Sequence, residues 1–408
     1  MAILKYNFLR RVTSGLFFAL LVSLMFSCND TKIVSGDVQT IEFTEHNDKP
    51  LASYFSKYQC VQLEINDECI IPKINKIEDV DGTLVILTDD DQVLAFSKKD
   101  GKFLNKIGNK GEGPKEYVKA YNMYIKDDKV NVVDNLSEKI ITYSLKGEYI
   151  SSNGLRGVLG IPTDFEPFAD DKLLVSLKMS DNDPVSEYAY GILNVKAKNY
   201  EKYFEKFAPI YTDGYMAPFA HKSMSRCDDH ITFFKVFNDT LFHFDNEGNI
   251  IPRYKLDLKK YRMPTKKQVA SLGPYFYEQL LDMAKNNGFL SGFDKIFETK
   301  DMIHLNTLMS YMIEGYYWID KTSGQGFVVK GSPDVDDEVN KVVRGETIVY
   351  IIGADDNEMI SQFDNVAINC LKRVFEKNPS VKAFYPGLKA VVEKADPEGN
   401  PLLIFYEH

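Results

Sequence analysis

The fold is decided by the stretch DGTLVILTDDDQVLAFSKKDGKFL, residues 81–104. It contains two short apolar runs joined by an acidic turn, and an Asp-Gly turn then leads into a third run. Short apolar runs rich in β-branched residues and bounded by Asp and Gly are typical of antiparallel hairpins. This stretch therefore predicts three consecutive strands of one sheet.

The same pattern returns along the chain at a nearly constant interval. An acidic turn precedes a strand at Asp81 and again at Asp127, and a glycine turn follows the next strand at Gly101 and again at Gly147. Both turns advance by 46 residues, so they belong to one repeating unit. A period of about 40–50 residues built from short strands is typical of propeller blades. We count six units, which predicts an all-β, six-bladed β-propeller.

The two ends of the chain carry strands that would close such a ring. Val61–Ile65 alternates apolar and polar residues, and the chain finishes on Leu402–Tyr406 after an Asn-Pro turn. An open sheet edge invites aggregation, so a propeller is expected to bring its ends together. We expect the last strand to complete the sixth blade beside an N-terminal strand.

Two segments break the strand pattern and predict helical insertions, at about residues 264–288 and 364–393. Thr265 and Gln268 have the spacing of a capping box, and apolar residues follow at helical intervals in both segments. Pro274 is expected to kink or divide the first helix. We expect both insertions to pack on one propeller face, with partner binding as the alternative.

The N-terminus has the organisation of a bacterial export signal. Three basic residues precede the apolar run Leu16–Phe26, which is too short to span a membrane. The run ends at Ser27-Cys28, which resembles the cleavage motif of bacterial lipoproteins. We predict lipidation of Cys28, and ordinary signal cleavage with Cys28 incidental is the alternative. Several buried acyl chains would give stable anchoring.

These features divide the chain into three parts. We predict a lipoprotein signal peptide over residues 1–27, a lipidated tether over residues 28–57 and the propeller over residues 58–408. The expected location is the cell envelope, anchored in the outer membrane and facing either the periplasm or the cell surface.

Composition fits a globular, exported body. Hydrophobic residues make up 44% of the chain and aromatic residues 13%, enough for a large core. The formal charge is −10, and removal of the signal peptide takes away three cations and no acid, which leaves −13. Nucleic acid and anionic lipid surfaces are therefore expected to be poor partners.

Cysteine, histidine and aspartate patterns predict no metal and no cofactor. No Cys/His spacing matches a zinc site, and the acidic doublets lack the alternating Asp spacing of an EF-hand loop. Calcium remains an alternative for those doublets, but their positions favour hairpin turns. Cys60 and Cys69 form either a local disulfide or two free thiols.

Three further stretches carry a family resemblance. They are DGKFLNKIGNKGEGPKEY at residues 100–117, FNDTLF at residues 237–242 with IPRYKLD at residues 251–257, and NPLLI at residues 400–404. Together with Cys28 they resemble the six-bladed, NHL-like β-propeller lipoproteins of Bacteroidetes. The resemblance spans nearly the whole chain and implies the fold and the lipid anchor rather than an activity.

The glycine-rich loop over residues 108–117 superficially resembles a phosphate-binding loop. It lacks the Gly-Lys-Ser/Thr ending and the helix that such a loop needs. We interpret it as a turn between blades, and Lys115 or Glu116 would supply any ligand contact.

The candidate binding residues lie on one segment, Tyr211–Arg226, which we interpret as a loop. We predict ligand binding by Tyr215, His221, Lys222 and Arg226, because aromatic and basic groups on one loop suit an anionic or sugar-like ligand. A solvated connector is the alternative.

The resulting functional hypothesis is a lipid-anchored, non-catalytic module that binds a small molecule, glycan or peptide at its funnel. One alternative is a lyase or hydrolase acting on a glycan or peptide through His221, Arg226 or His304. It would require titratable side chains that converge at the funnel. The other is a subunit of an outer-membrane assembly with an envelope protein as partner.

Overall fold

The computed structural model describes residues 35–45, 55, 57–160, 162–178, 188–206, 220–258, 262–265, 267–268, 271, 279, 282–283, 286, 288–307, 316–329, 351–377 and 388–407. Within these ranges it contains 25 strands and two helices. The protein is therefore mainly β, as the sequence predicts.

Sheets 1, 2 and 3 each contain four consecutive antiparallel strands. Sheet 1 consists of β3 (Ile74–Val80), β4 (Thr83–Thr88), β5 (Val93–Ser97) and β6 (Phe103–Lys106). Sheet 2 consists of β7 (Ala120–Lys126), β8 (Lys129–Asp134), β9 (Lys139–Ser144) and β10 (Tyr149–Gly154). Sheet 3 consists of β11 (Pro162–Ala169), β12 (Lys172–Leu177), β13 (Tyr188–Asn194) and β14 (Asn199–Lys206). The three strands predicted over residues 81–104 are β4, β5 and β6.

Sheets 4 and 5 have the same four-strand plan. Sheet 4 consists of β15 (Met224–Cys227), β16 (His230–Phe234), β17 (Thr240–Asp245) and β18 (Ile250–Asp257). Sheet 5 consists of β19 (Phe293–Glu298), β20 (Met302–Thr307), β21 (Tyr316–Asp320) and β22 (Gln325–Val329).

An additional strand, β1 (Gln39–Glu45), lies between the last strands of sheets 4 and 5. Its first half pairs in parallel with β18 and its second half pairs in parallel with β22. The two sheets are thereby joined into nine strands. Residues 39–45 fall within the predicted tether, yet here they form part of the folded body.

Sheet 6 contains strands from both ends of the chain, in the order β2 (Lys57–Gln62), β25 (Leu402–Glu407), β24 (Glu358–Phe363) and β23 (Ile351–Ala354). β2 and β25 are antiparallel and pair from Lys57 opposite Glu407 to Gln62 opposite Leu402. The predicted pairing of the chain ends is present. The N-terminal strand begins and ends earlier than the predicted Val61–Ile65.

The acidic doublets at residues 127–128, 170–171, 228–229 and 355–356 lie in turns between the first and second strands of their sheets. Asp127 and Asp128 have φ of 49° and 54°, and Asp81 and Gly82 have φ of 49° and 80°. Two consecutive positive φ angles define the type I′ turn, which suits the right-handed twist of the flanking strands. Asp and Gly tolerate this region better than most residues. The preference for turn chemistry at these positions is thus confirmed.

The glycines that recur every 46 residues lie against a neighbouring sheet. Gly101 has φ +71°, and a Cβ there would clash with the carbonyl oxygen of Gln62 in β2. Gly147 has φ +80°, and a Cβ there would clash with the carbonyl oxygen of Lys106 in β6. Each glycine therefore permits close contact with the last strand of the preceding sheet.

The six sheets are arranged in sequence around a shared interior. The first strand of each sheet contacts the first strand of the next, and β23 of sheet 6 contacts β3 of sheet 1. Apolar side chains fill the spaces between adjacent sheets, for example Val85 with Ile141 and Trp318 with Tyr406. This architecture is propeller-like, and its first strands line the interior.

The second predicted insertion forms two helices, α1 (Asn365–Lys377) and α2 (Leu388–Lys394). The Asp364 carboxylate accepts a 2.9 Å hydrogen bond from the Ala367 N–H and caps α1. The apolar residues at helical intervals in α1 include Ile368, Leu371, Val374 and Phe375, which are buried, and Val366, which is 76% exposed. Both helices pack in the core cluster shared by sheets 5 and 6.

The first predicted insertion is described only in part. The Thr265 N–H donates to Gln268 Oε1, and the Gln268 N–H donates back to Thr265 Oγ1 at 3.2 Å. This reciprocal pair is the predicted capping box. Pro274 lies outside the described residues.

Cys60 and Cys69 are both free thiols. The predicted signal peptide, residues 1–27, and the predicted lipidation site Cys28 lie outside the described residues. Among the helices that the structure describes, none is long and apolar enough to cross a membrane.

Candidate functional site

A cavity of about 1190 Å³ lies along the first strands of all six sheets. Its lining combines charged side chains with amides, hydroxyls and the aromatic ring of Tyr121. A concave site with convergent polar groups is the usual location of a small-ligand site. We therefore treat this central cavity as the candidate functional site.

Two lysines and three carboxylates form an ion-pair network within the cavity. Lys76 Nζ lies 3.4 Å from both Glu78 Oε1 and Asp164 Oδ1. Lys222 Nζ lies 3.6 Å from Asp164 Oδ2 and 3.5 Å from Glu166 Oε1. The network joins β3 of sheet 1 to β11 of sheet 3 and to the segment before β15. Because these contacts are long for hydrogen bonds, the same groups can also bind a ligand.

Glu166 is the most perturbed carboxyl group of this network. Burial raises its pKa most, Lys222 and Lys76 lower it, and Asp164 raises it further, so that the pKa is about 7. Its usual value is 4.5. A carboxyl group with such a pKa exchanges its proton near neutral pH, which is the property of a general acid or base.

Lys76 stays protonated in this network. Burial alone lowers the pKa of Lys76, but the negative charges of Asp164 and Glu78 outweigh burial, and the net pKa is raised. Asp164 Oδ2 is buried and makes no hydrogen bond to any part of the chain that the structure describes. This oxygen is an available acceptor in the cavity wall.

Three of the four predicted binding residues line the cavity, namely His221, Lys222 and Arg226. Tyr215 lies outside the described residues. His221 Nδ1 lies 2.6 Å from Asp294 Oδ1, and the Arg226 guanidinium donates to the carbonyl oxygen of Pro167.

These partners change the electrostatic expectation for the site. His221 and Lys222 each lie beside a carboxylate, so acidic groups accompany the predicted basic residues at the cavity wall. The segment Tyr211–Arg226 also differs from the predicted loop, because its end belongs to strand β15. Arg226 therefore lies on a first strand, where its direction is fixed by the sheet.

Sequence analysis missed Tyr121, Asp164, Glu166 and Lys76, although all four line the cavity. A signal was present: Lys76 and Glu78 are two residues apart on β3, and so are Asp164 and Glu166 on β11. Alternate residues of a strand share a face, so charges at this spacing mark the face that points into a polar interior.

The turns after the first strands bring additional carboxylates to the cavity. Asp81, Asp228, Asp301 and Asp355 each follow a first strand and line the cavity. One lysine, Lys98, joins this end of the cavity and bonds to Asp79 and Glu358. The turn end is therefore more acidic than the region around Lys222.

The glycine-rich loop at residues 108–117 satisfies its own backbone. The Gly113 N–H donates a 2.9 Å hydrogen bond to Glu116 Oε2, and the Tyr143 hydroxyl donates to the Lys115 carbonyl oxygen. Because Glu116 occupies the position that an anion would take, the loop has the structural role predicted for it.

His304, considered as a catalytic group, does not belong to the cavity. It is fully buried, and its ring packs 4.2 Å from the Trp318 ring. Burial lowers its pKa to about 3. It is a neutral core histidine, so the enzyme alternative has to rely on other groups.

Comparison with known families places the chain in one of them. The sequence profile of the family described as "Domain of unknown function (DUF4934)" matches residues 38–407. The chain belongs to the DUF4934 family. The match begins one residue before β1, so the family domain includes that strand as well as all six sheets of the DUF4934 fold.

Solved structures similar to this DUF4934 chain include two from Bacteroides. A candidate exported protein of Bacteroides fragilis is 16% identical with a TM-score of 0.70, over 90% of this chain and 98% of that one. A DUF4221 family member of Bacteroides vulgatus is 12% identical with a TM-score of 0.44, over 65% of this chain and 81% of that one. The TM-score of 0.70 shows a shared fold.

A third similar structure is PorZ of Porphyromonas gingivalis, a surface component of the type-IX secretion system. It is 9% identical with a TM-score of 0.34, over 67% of this chain and 29% of that one. No curated protein matches the chain.

Proposed function

We propose that this DUF4934 protein is an exported, lipid-anchored six-bladed β-propeller that binds a polyhydroxylated ligand in its central cavity. In this proposal the protein is a non-catalytic binding module of the cell envelope. The observation that carries the binding role is a cavity wall in which five charged side chains converge around an unsatisfied buried oxygen of Asp164.

Closure into six blades is supported by equivalent contacts in two places. Gly147 of sheet 2 lies against β6, the last strand of sheet 1, and Gly101 of sheet 1 lies against β2 of sheet 6 in the same way. β2 therefore takes the position of a last strand. Contact between β23 and β3 adds the remaining link of the ring.

Export and lipidation are supported by the sequence and by one comparison. The basic start, the apolar run and Ser27-Cys28 have the order expected of a lipoprotein signal. The Bacteroides fragilis protein that shares this fold is itself an exported-protein candidate.

The chemistry of the cavity favours hydroxyl groups over a lone anion. Lys76 and Lys222 already have carboxylate partners, so a free anion would compete with Asp164 and Glu166 for them. A hydroxyl group can donate to a carboxylate and accept from a lysine at the same time. Tyr121 adds an aromatic surface of the kind on which a sugar ring can pack. A glycan fragment therefore suits the site best.

The test is a screen of the purified protein against glycans and peptides, followed by titration calorimetry with the ligand found. Arg226→Ala is expected to weaken binding by about 1–3 kcal/mol, the scale for a charge-assisted hydrogen bond. Arg253→Ala is the matched control, because Arg253 lies on the outer strand β18 and stacks on Tyr254.

Equal affinities of the wild type and of both variants would show that the ligand binds outside the cavity. Loss of folding in Arg226→Ala would show that its bond to Pro167 is structural, and Lys222→Met would then replace it in the binding assay. A ligand that is only an anion, with no hydroxyl groups, would contradict the proposed ligand class.

A second candidate function is a hydrolase or lyase with Glu166 as the general acid or base. The raised pKa of Glu166, beside two lysines in the cavity, favours it specifically. Turnover of the bound glycan by the wild type, abolished in Glu166→Gln, would establish catalysis. Binding without turnover in the wild type would leave the binding module as the function.

A further inference from the structure

Two histidines and a glutamate come together between sheets 4 and 5, outside the central cavity. His230 is the first residue of β16, His243 lies in β17 and Glu298 is the last residue of β19. In the hairpin of β16 and β17, Thr232 pairs with His243 and His230 pairs with Asp245. The two histidines are therefore diagonal neighbours on one face of sheet 4, and that face packs against Glu298 of sheet 5.

The side chains are close enough to share one ion. One ligand atom of each residue lies within 4.8 Å of the ligand atoms of the other two. His230 Nε2 lies 3.4 Å from Glu298 Oε1, and the two imidazole rings are 4.0 Å apart. Zinc bonds of 2.0–2.2 Å place tetrahedral ligands about 3.4 Å from each other. The 3.4 Å between His230 Nε2 and the Glu298 carboxylate matches that separation.

Two buried atoms of the cluster, one nitrogen and one oxygen, lack a hydrogen-bond partner among the described residues. His243 Nε2 and Glu298 Oε2 make no hydrogen bond to the described residues, and Glu298 is completely buried. Buried polar atoms are nearly always satisfied, so an exception indicates a missing ion, water or ligand. Because both atoms belong to the same cluster, a single bound ion would satisfy both of them.

The surrounding groups orient the cluster as they do in metal sites. Asp229 Oδ1 lies 3.4 Å from His230 Nδ1, which leaves Nε2 directed at Glu298. A carboxylate behind a histidine fixes the tautomer in which the other nitrogen is free to ligate. Lys321 Nζ lies 2.8 Å from Glu298 Oε1, so it balances the carboxylate through one oxygen and leaves the second available.

We propose that His230, His243 and Glu298 bind a divalent transition metal ion of the zinc class between sheets 4 and 5. Two imidazole nitrogens and one carboxylate oxygen suit zinc, and a hard cation such as Mg²⁺ or Ca²⁺ would prefer an all-oxygen site. The ligands come from two adjacent sheets, so the ion would join them. The partly exposed His230, beside the exposed Asp229, provides the path of entry.

The three ligands have no motif spacing, so the sequence alone gives no sign of this metal site. His230 and His243 are separated by a hairpin, and Glu298 follows 55 residues after His243. Only the packing of sheet 5 on sheet 4 brings them together.

Isothermal titration calorimetry of the metal-free protein with zinc chloride tests the site. The wild type is expected to bind one ion. His243→Phe keeps a ring that can stack on His230, and Glu298→Gln keeps an oxygen for Lys321. Each is expected to weaken zinc binding by more than the roughly 10–100-fold that loss of an outer-shell partner costs.

The matched control is His221→Ala, which removes an exposed histidine beside a carboxylate elsewhere and is expected to bind zinc as the wild type does. Circular dichroism checks the fold of each variant, and if one does not fold, the other decides. Absence of zinc binding by the wild type, or unchanged binding by a folded His243→Phe or Glu298→Gln, overturns the proposal. Zinc-edge anomalous density away from these three residues, in crystals with one equivalent of zinc, overturns it as well.

Discussion

Replacement of Glu166 by Gln is expected to make the protein relatively more stable at alkaline pH than at acidic pH. The folded protein raises the pKa of Glu166 from 4.5 to about 7, because burial disfavours the carboxylate more than Lys222 and Lys76 favour it. Gln has nearly the same shape and no titratable group. The difference between the two proteins therefore isolates the ionisation of Glu166.

The sign follows from proton linkage. Since the pKa of Glu166 is higher in the folded than in the unfolded state, the folded state binds the proton more tightly. The stability gained from this protonation is complete below pH 4.5. It is lost as the pH rises through about 7. A shift from 4.5 to about 7 corresponds to about 3 kcal/mol. Between pH 4.5 and pH 8 the wild type should lose about that much stability relative to Glu166→Gln.

Urea unfolding at a series of pH values measures this difference. The chain has a single tryptophan, Trp318, which is fully buried and so reports unfolding by fluorescence. Glu201→Gln is the matched control with the opposite sign. Asn194 and Lys172 lower the pKa of Glu201, so the wild type should gain stability relative to this variant as the pH rises.

A difference between wild type and Glu166→Gln that does not change with pH would refute the reasoning. A difference of the opposite sign would show that Lys222 and Lys76 dominate over burial, and Glu166 would then be an ordinary ion-pair partner. The role of general acid or base would be lost with it.

Three more outcomes follow from other parts of the molecule. Burial lowers the pKa of His304 from its usual 6.5 to about 3, so the stability that neutral His304 contributes is complete above pH 6.5 and falls on acidification. In urea unfolding at pH 5, the wild type should therefore have lost about 2 kcal/mol of stability relative to His304→Phe. Deletion of residues up to 62 removes β1 and β2 and exposes the edges of β18, β22 and β25, and gel filtration should show aggregates instead of monomer; a well-folded monomer would contradict a structural role for these two strands. Cys28→Ala should move the protein from the detergent phase to the aqueous phase, and its retention in membranes would rule out lipidation as the anchor.

Local chemistry in the sequence determined much of the fold. Asp and Gly tolerate positive φ, and so Asp127-Asp128 and Asp81-Gly82 revealed type I′ turns and the hairpins they join. The 46-residue interval between Gly101 and Gly147 revealed the repeat because each of these glycines lies where its sheet meets the preceding one. The capping box at Thr265 was also visible, since it is a contact between residues close in sequence.

Strands without apolar alternation were harder to find. β3 carries Lys76 and Glu78 on the side that faces the cavity, so it lacks the apolar signal of an ordinary strand. β1 pairs in parallel with strands more than 200 residues away, and no local feature of Gln39–Glu45 specifies those partners. The end of the predicted binding loop is strand β15, whose sequence also lacks a run of alternating apolar residues.

The sequence by itself determined the repeating unit, the turns, the capped helices and the acidic balance of the chain, because these depend on neighbouring residues or on composition. Tertiary structure alone decided which charges meet. Lys76 on β3 and Asp164 on β11 are 88 residues apart in the sequence, yet their charged groups lie 3.4 Å from each other in the cavity wall. Likewise, His230, His243 and Glu298 come within 4.8 Å of one another only because sheet 5 packs against sheet 4. Electrostatic effects such as the raised pKa of Glu166 depend on burial and on distances of a few ångströms, and these are properties of the folded chain.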